Sequence, residues 1–80
     1  MRKVLILDAR DNIAVCLADM QAGETIEQDN LSITVKNPIA RGHKIATADI
    51  EKGEGIIKYG ERMGHAITHI ARGEHVHVHN

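Results

Sequence analysis

Apolar and polar positions alternate along much of this chain. From Asn12 to Ala18, Ile13, Val15 and Leu17 fall on one side, and Asn12, Ala14, Cys16 and Ala18 on the other. The second side is made of small residues, so another layer can approach it closely. Leu31–Lys36 alternates in the same way, with Leu31, Ile33 and Val35 turned inward. A period of two is the mark of a half-buried β-strand. Lys3–Asp8, Gly55–Tyr59 and Glu74–His79 read as further short strands, and Asn37-Pro38 ends the Leu31–Lys36 run as a turn. The only helical signal is a turn around Thr47–Glu51. The pattern therefore predicts an all-β domain over residues 1–80 with at most one short helix.

A second pattern punctuates the first. Met20-Gln-Ala-Gly23-Glu-Thr-Ile26 has the form apolar-x-x-Gly-x-x-apolar. The form returns at Ile39–Ile45 around Gly42, at Ile50–Ile56 around Gly53 and at Ile70–Val76 around Gly73. Each reads as a tight turn in which glycine supplies a positive φ and the flanking apolar residues anchor the turn in the core. The spacings between these glycines are 19, 11 and 20 residues, which reads as one turn motif reused and not as a solenoid.

Composition narrows the function. With one tyrosine and neither Trp nor Phe, the core must be aliphatic, and Tyr59 is expected to be its only aromatic. A chain of 80 residues buries a modest share of its surface, so self-association or partner binding through an aliphatic patch is expected. Ten basic against eleven acidic residues, with no aromatics to stack on bases, disfavour nucleic acid. The longest apolar run, Val4–Leu7, is too short to span a membrane, and nothing reads as a signal peptide, so a cytoplasmic protein is the default. Cys16 has no partner for an internal disulfide and reads as a packing residue.

The candidate chemistry lies in histidines. Three of the six stand in Gly73–Asn80, GEHVHVHN. In a strand, His75, His77 and His79 share one face and Val76 and Val78 the other. Alternate residues stand about 6.5–7 Å apart, so neighbouring imidazoles can converge on one metal ion. The plain alternative is a solvated or partner-facing strand near a terminus. His43, beside Gly42 and Lys44, reads either as an acid–base group able to reach a carboxylate or as a surface turn residue. His65 and His69 read as structural or exposed, and Arg62 as a surface charge.

The residues that carry a family resemblance are DNIAVCLADMQAGE (Asp11–Glu24), PIARGHKIATADIEKGEGIIKYGERMGHA (Pro38–Ala66) and IARGEHVHVHN (Ile70–Asn80). The combination of GHKIA, KYGE and the terminal GEHVHVHN resembles SAF domains of the altronate and galactarate dehydratase family. The resemblance implies a β-clip fold and a divalent metal, iron in particular. It also implies a sugar-acid substrate and a larger catalytic chain as partner. On this basis His75 and His77 are the candidate metal ligands and His43 the candidate catalytic residue, with His79 more dispensable. Such a domain precedes the catalytic domain in fused enzymes or forms a separate small subunit, as in the related sulfolactate sulfo-lyase. Ending at Asn80 is the pattern of the small subunit, unless the chain is a shortened form of the fused one. The alternative is a non-catalytic SAF module that binds a carbohydrate or a protein.

Overall fold

Residues 3–6, 8–28 and 30–77 are described by the structure, a computed structural model. Eight short strands run in chain order: β1 (Val4–Leu5), β2 (Ile13–Cys16), β3 (Thr25–Gln28), β4 (Leu31–Thr34), β5 (Lys44–Ala46), β6 (Gly55–Lys58), β7 (Glu61–His65) and β8 (His75–Val76). Strands β1, β2, β5 and β8 form one antiparallel sheet in that spatial order. Two separate hairpins, β3–β4 and β6–β7, complete the fold. Among the described residues there is no helix, and Thr47–Glu51 passes as bends.

The central sheet has a core on each side. Alternation along β2 sends Ala14 and Cys16 into one cluster with Val4, Met20, Ile26, Ile33, Val35, Ile39 and Ile45. It sends Ile13 into a second cluster with Ala46, Ile50, Ala66, Ile70 and Val76. Neighbouring residues of β5, Ile45 and Ala46, thus belong to different cores. The small side chains Ala14 and Cys16 allow the first layer to close on the sheet, as their size predicts. Leu17 lies beyond the end of β2 and is 40% exposed, because the alternation stops with the strand.

All four glycine turns are present, and each closes with the hydrogen bond of a β-turn. The closing N–H groups belong to Glu24, His43, Glu54 and Glu74, and they donate to the carbonyls of Gln21, Ala40, Glu51 and Ala71. The third residue of each turn is glycine with φ between 87° and 93°, the value a type II turn requires. Gly73 is also locked by space, since a Cβ there would collide with the carbonyl oxygen of Thr34.

The turns are docked in pairs. Met20 and Ile39 exchange two backbone hydrogen bonds of 2.8 and 2.9 Å, and Ile50 and Ile70 exchange two of 2.8 Å. Asp19 accepts from the Arg41 N–H, and Asp49 accepts from the Arg72 N–H, both at 2.8 Å. Gly23 and Gly53 donate to Val35 and Ala66, while Gly42 and Gly73 donate to Cys16 and Ala46. These are the same contacts made twice. The chain is therefore an internal repeat of two halves, offset by 30 residues before each hairpin and by 31 after it. The irregular glycine spacing concealed this order, because successive glycines belong alternately to two kinds of turn.

One residue accounts for the change of offset. β3–β4 pairs regularly, with Thr25 opposite Thr34 and Gln28 opposite Leu31. In β6–β7, Ile56 faces Gly64 but Ile57 faces Arg62, so Met63 is an extra residue in a β-bulge. Bulging turns Met63 outward, where it is 60% exposed. Tyr59 and Gly60 join these strands, both with positive φ (57° and 73°), as a tight two-residue hairpin turn needs. Tyr59 is therefore not the core aromatic expected from sequence. A turn-tip side chain has no layer above it, and Tyr59 is 51% exposed with the Lys58 ammonium 4.8 Å from its ring centroid.

Each half has its own tie to the sheet. The side chain of Gln28 accepts from the N–H groups of Lys3 and Val4 and donates to the Val4 carbonyl, holding β1. Asn12 donates to the Gly55 carbonyl at 2.9 Å and accepts from the Ile57 N–H at 2.8 Å, holding β6.

Candidate functional site: a cluster of three histidines

In three of the four turns the residue after glycine is glutamate, and its carboxylate braces the turn that it ends. Glu24 Oε1 accepts from the Gln21 N–H, Glu54 Oε1 from the Glu51 N–H, and Glu74 Oε1 from the Ala71 N–H. The fourth turn, Ala40–His43, has histidine at that position. Its imidazole lies instead against the histidines of the last strand.

Antiparallel pairing of β5 with β8 sets Ile45 opposite His75 and Lys44 opposite Val76. His43, one residue before β5, is thereby carried to the side of the sheet that His75 occupies. The ring centroids of His43, His75 and His77 form a triangle with edges of 4.3, 5.1 and 5.7 Å. The rings are tilted from one another by no more than 20°. His43 Nδ1 and His75 Nε2 share a hydrogen bond of 2.9 Å. His43 and His75 are half-buried and His77 is exposed, so the cluster faces outward from a firm base. Val76 between them is buried, which fixes the register of the two rings.

The donor set is of a kind that could hold a metal ion. Three imidazoles offer nitrogen atoms that all lie within 4.8 Å of one another. Imidazole suits zinc, copper, iron and nickel, at about 2.0–2.1 Å in the case of zinc. Two nitrogens on a tetrahedral ion at that distance stand roughly 3.3 Å apart. The 2.9 Å contact is shorter because the two nitrogens share a proton, so an ion would have to replace that proton, part this pair and draw together nitrogens that stand as much as 4.8 Å apart.

The structure thus brings His43, His75 and His77 together. His79 lies outside the described residues. His69 is apart from the cluster and pairs with Glu51 at 3.1 Å on the surface. His65 is exposed on β7. Cys16 is a buried packing residue, and burial pushes its thiol up to about 11.

Beside the cluster is an open pocket of about 410 Å³, and His77 forms part of its wall. Its floor is aliphatic, including Ile13, Ile56 and Val76, and Lys44, Lys58 and His65 also line it. Reading the sequence missed this pocket. The available signal was the place of Lys44 next to His43, but its neighbour Lys58 arrives only through the docking of β6 against the sheet.

A helix-free fold in which two glycine-turn hairpin halves share one small sheet is that of a β-clip domain. The family model of the altronate/galactarate dehydratase SAF domain matches residues 2–80, and the chain belongs to that family. It is 49% identical over 74 residues to altronate dehydratase of Escherichia coli (strain K12), covering 92% of this chain and 15% of that protein. It is 44% identical over 80 residues to altronate dehydratase of Bacillus subtilis (strain 168), covering 100% and 16%. Identity to the (2R)-sulfolactate sulfo-lyase subunit alpha of Chromohalobacter salexigens is 37% over 83 residues, covering 95% and 88%. The chain thus spans a small part of the two dehydratases and most of the sulfo-lyase subunit. Among the described residues no helix is long and apolar enough to cross a membrane.

Proposed function

We propose that this chain is the SAF component of a sugar-acid dehydratase or a closely related lyase, working as a small subunit or as one segment of a larger enzyme. Its histidines form one wall of an active site that a large catalytic chain completes. The observation that carries this reading is His43: at the one turn without its glutamate brace, an imidazole packs against His75 and His77. The family membership supports a sugar acid as the substrate class.

Removing water from a 2,3-dihydroxy acid takes the proton from C2 and breaks the C3–O bond. The C2–H electrons become the C2=C3 double bond, the departing hydroxide leaves as water after receiving a proton, and the enol product becomes a 2-keto-3-deoxy acid. A base and an acid are needed near neutral pH, and imidazole serves as both. With His75 engaged as a ligand, His43, whose Nδ1 lies 2.9 Å from His75 Nε2, is the imidazole left to carry the proton. A divalent ion held by His75 and His77, with iron the ion associated with this family, would stabilise the charge that grows on the substrate carboxylate as C2 loses its proton. The exposed face of the cluster and the open pocket call for a covering chain, since catalysis of this kind is sheltered from water.

The test is complementation. The isolated chain should turn over neither altronate, galactarate nor sulfolactate, and activity should appear on adding a large dehydratase chain of the family. In that assembly His43→Ala and His75→Ala should each lower turnover roughly 10²–10⁴-fold with the fold intact, while His69→Ala should leave it near wild type. Robust turnover by the isolated chain, or wild-type activity in both cluster variants, refutes the shared site.

A further inference from the structure

We infer that Lys44 and Lys58 form a carboxylate-binding subsite for a hydroxy acid, in the pocket that shares His77 with the histidine cluster. The inference rests on the reading above and adds the residues that would recognise the substrate.

Three observations carry it. The two lysines line one pocket, from different strands, and both are half-buried. The lining contains no acidic residue. Among the described residues the salt bridges join Lys3 to Glu24, Arg10 to Asp8 and His69 to Glu51, so neither pocket lysine has a carboxylate partner. In a chain with eleven acidic residues and a net charge of −1, a pocket lined by two lysines and no acidic residue is a local exception. The aliphatic floor of Ile13, Ile56 and Val76 offers no side-chain acceptor that would compete with an anion for the lysines. Register pairs Lys44 with Val76, on the face of the sheet opposite to His75, so the pocket meets the histidine cluster at His77 alone. The open side of the pocket leaves the hydroxyls of a polyhydroxy acid toward solvent or toward a covering chain.

Size and charge select the ligand. A pocket of about 410 Å³ exceeds what a simple inorganic anion needs and suits a small organic acid. Lysine binds a carboxylate as a point charge without the two-pronged fit of arginine, so it tolerates acids of different chain lengths. The pocket thus reads the carboxylate, and discrimination between sugars falls to other groups.

The test is titration of the whole chain with galactarate, followed by amide NMR shifts, with uncharged galactitol as control and ionic strength held constant. Galactarate should give saturable shifts centred on Lys44, Lys58, Gly64 and Val76, and galactitol should not. Lys44→Met and Lys58→Met should each weaken binding about tenfold, and Lys44→Arg and Lys58→Arg should retain most of it. The unliganded amide spectrum of each variant serves as the folding control. No saturable shift, shifts of equal size with galactitol, or galactarate binding that survives in the double Met variant would overturn the inference. So would a pocket that ignores galactarate but is shielded when an acidic, apolar segment of a catalytic chain docks there. Because the titration reads binding with all histidines in place, its failure is distinct from wild-type turnover in the His43→Ala and His75→Ala variants, which is the failure of the functional proposal.

Discussion

His43 occupies a position where the other three turns carry a mechanical part. A glutamate there accepts the first N–H of its own turn, and a histidine turned toward His75 does not. His43→Glu should therefore be more stable than His43→Ala by about 1 kcal/mol, the worth of one such hydrogen bond, while neither variant supports turnover. Urea denaturation of the two variants side by side tests this. Gly73 offers a sharper contrast with Gly23. Both have φ near +90°, but a Cβ at Gly23 meets open space, whereas one at Gly73 strikes the Thr34 carbonyl. Gly23→Ala should cost about 1–2 kcal/mol from backbone conformation alone, and Gly73→Ala clearly more. Cys16 adds a pH effect. Its thiol is pushed up from 9.0 to about 11 by burial, so above pH 9 the unfolded chain loses this proton while the native state keeps it. Its contribution to stability is intact below about pH 9 and falls as pH rises toward 11. Cys16→Ala should show a shallower alkaline decline, and native Cys16 should resist thiol reagents at pH 8.

Among the elements, the strands with clear alternation were legible and the exposed ones were not. Leu31, Ile33 and Val35 point inward as their spacing requires, and of the strand expected over Gly55–Tyr59 all but Tyr59, which enters the turn, forms. β7, Glu61–His65, is exposed along its whole length, so it has no apolar rhythm to find. β3 and β5 are too short for an apolar rhythm of their own and show in the sequence only as flanks of glycine turns. The bulge at Met63 has no sequence mark at all, since it is defined by the partner strand. Among the polar ties of the second hairpin, which reach across more than 40 residues of chain, the Asn12 side chain meets both a carbonyl and an N–H of β6. Asn12→Ala leaves both partly buried groups unpaired and should cost about 1–3 kcal/mol. Amide hydrogen exchange should then quicken in β6 and β7 more than in β3 and β4, because Gln28 still ties the first half. Equal quickening in both hairpins would count against Asn12 as the tie.

At the scale of the molecule, β5 couples the halves, because Ile45 sits in one core and Ala46 in the other. The two cores should unfold together. Ile33→Ala and Ile50→Ala, one in each core, should each cost about 2–5 kcal/mol and move one common transition; separate melting of the two hairpins would contradict this. The fold class was legible because turn glycines and period-two runs are local signals. The site was half legible. The spacing of His75 and His77 showed their common face, but the meeting of His43 with them depends on strand pairing across 32 residues. Comparing the halves with one another would have recovered more. His43 stands where the second half has Glu74, Lys58 where the first has Gln28, and Met63 where the first has no residue at all. The scaffold is nearly symmetric, and its symmetry is broken at the cluster and at the pocket. In a duplicated domain the matching positions carry the architecture, so the mismatched ones are where chemistry should be sought.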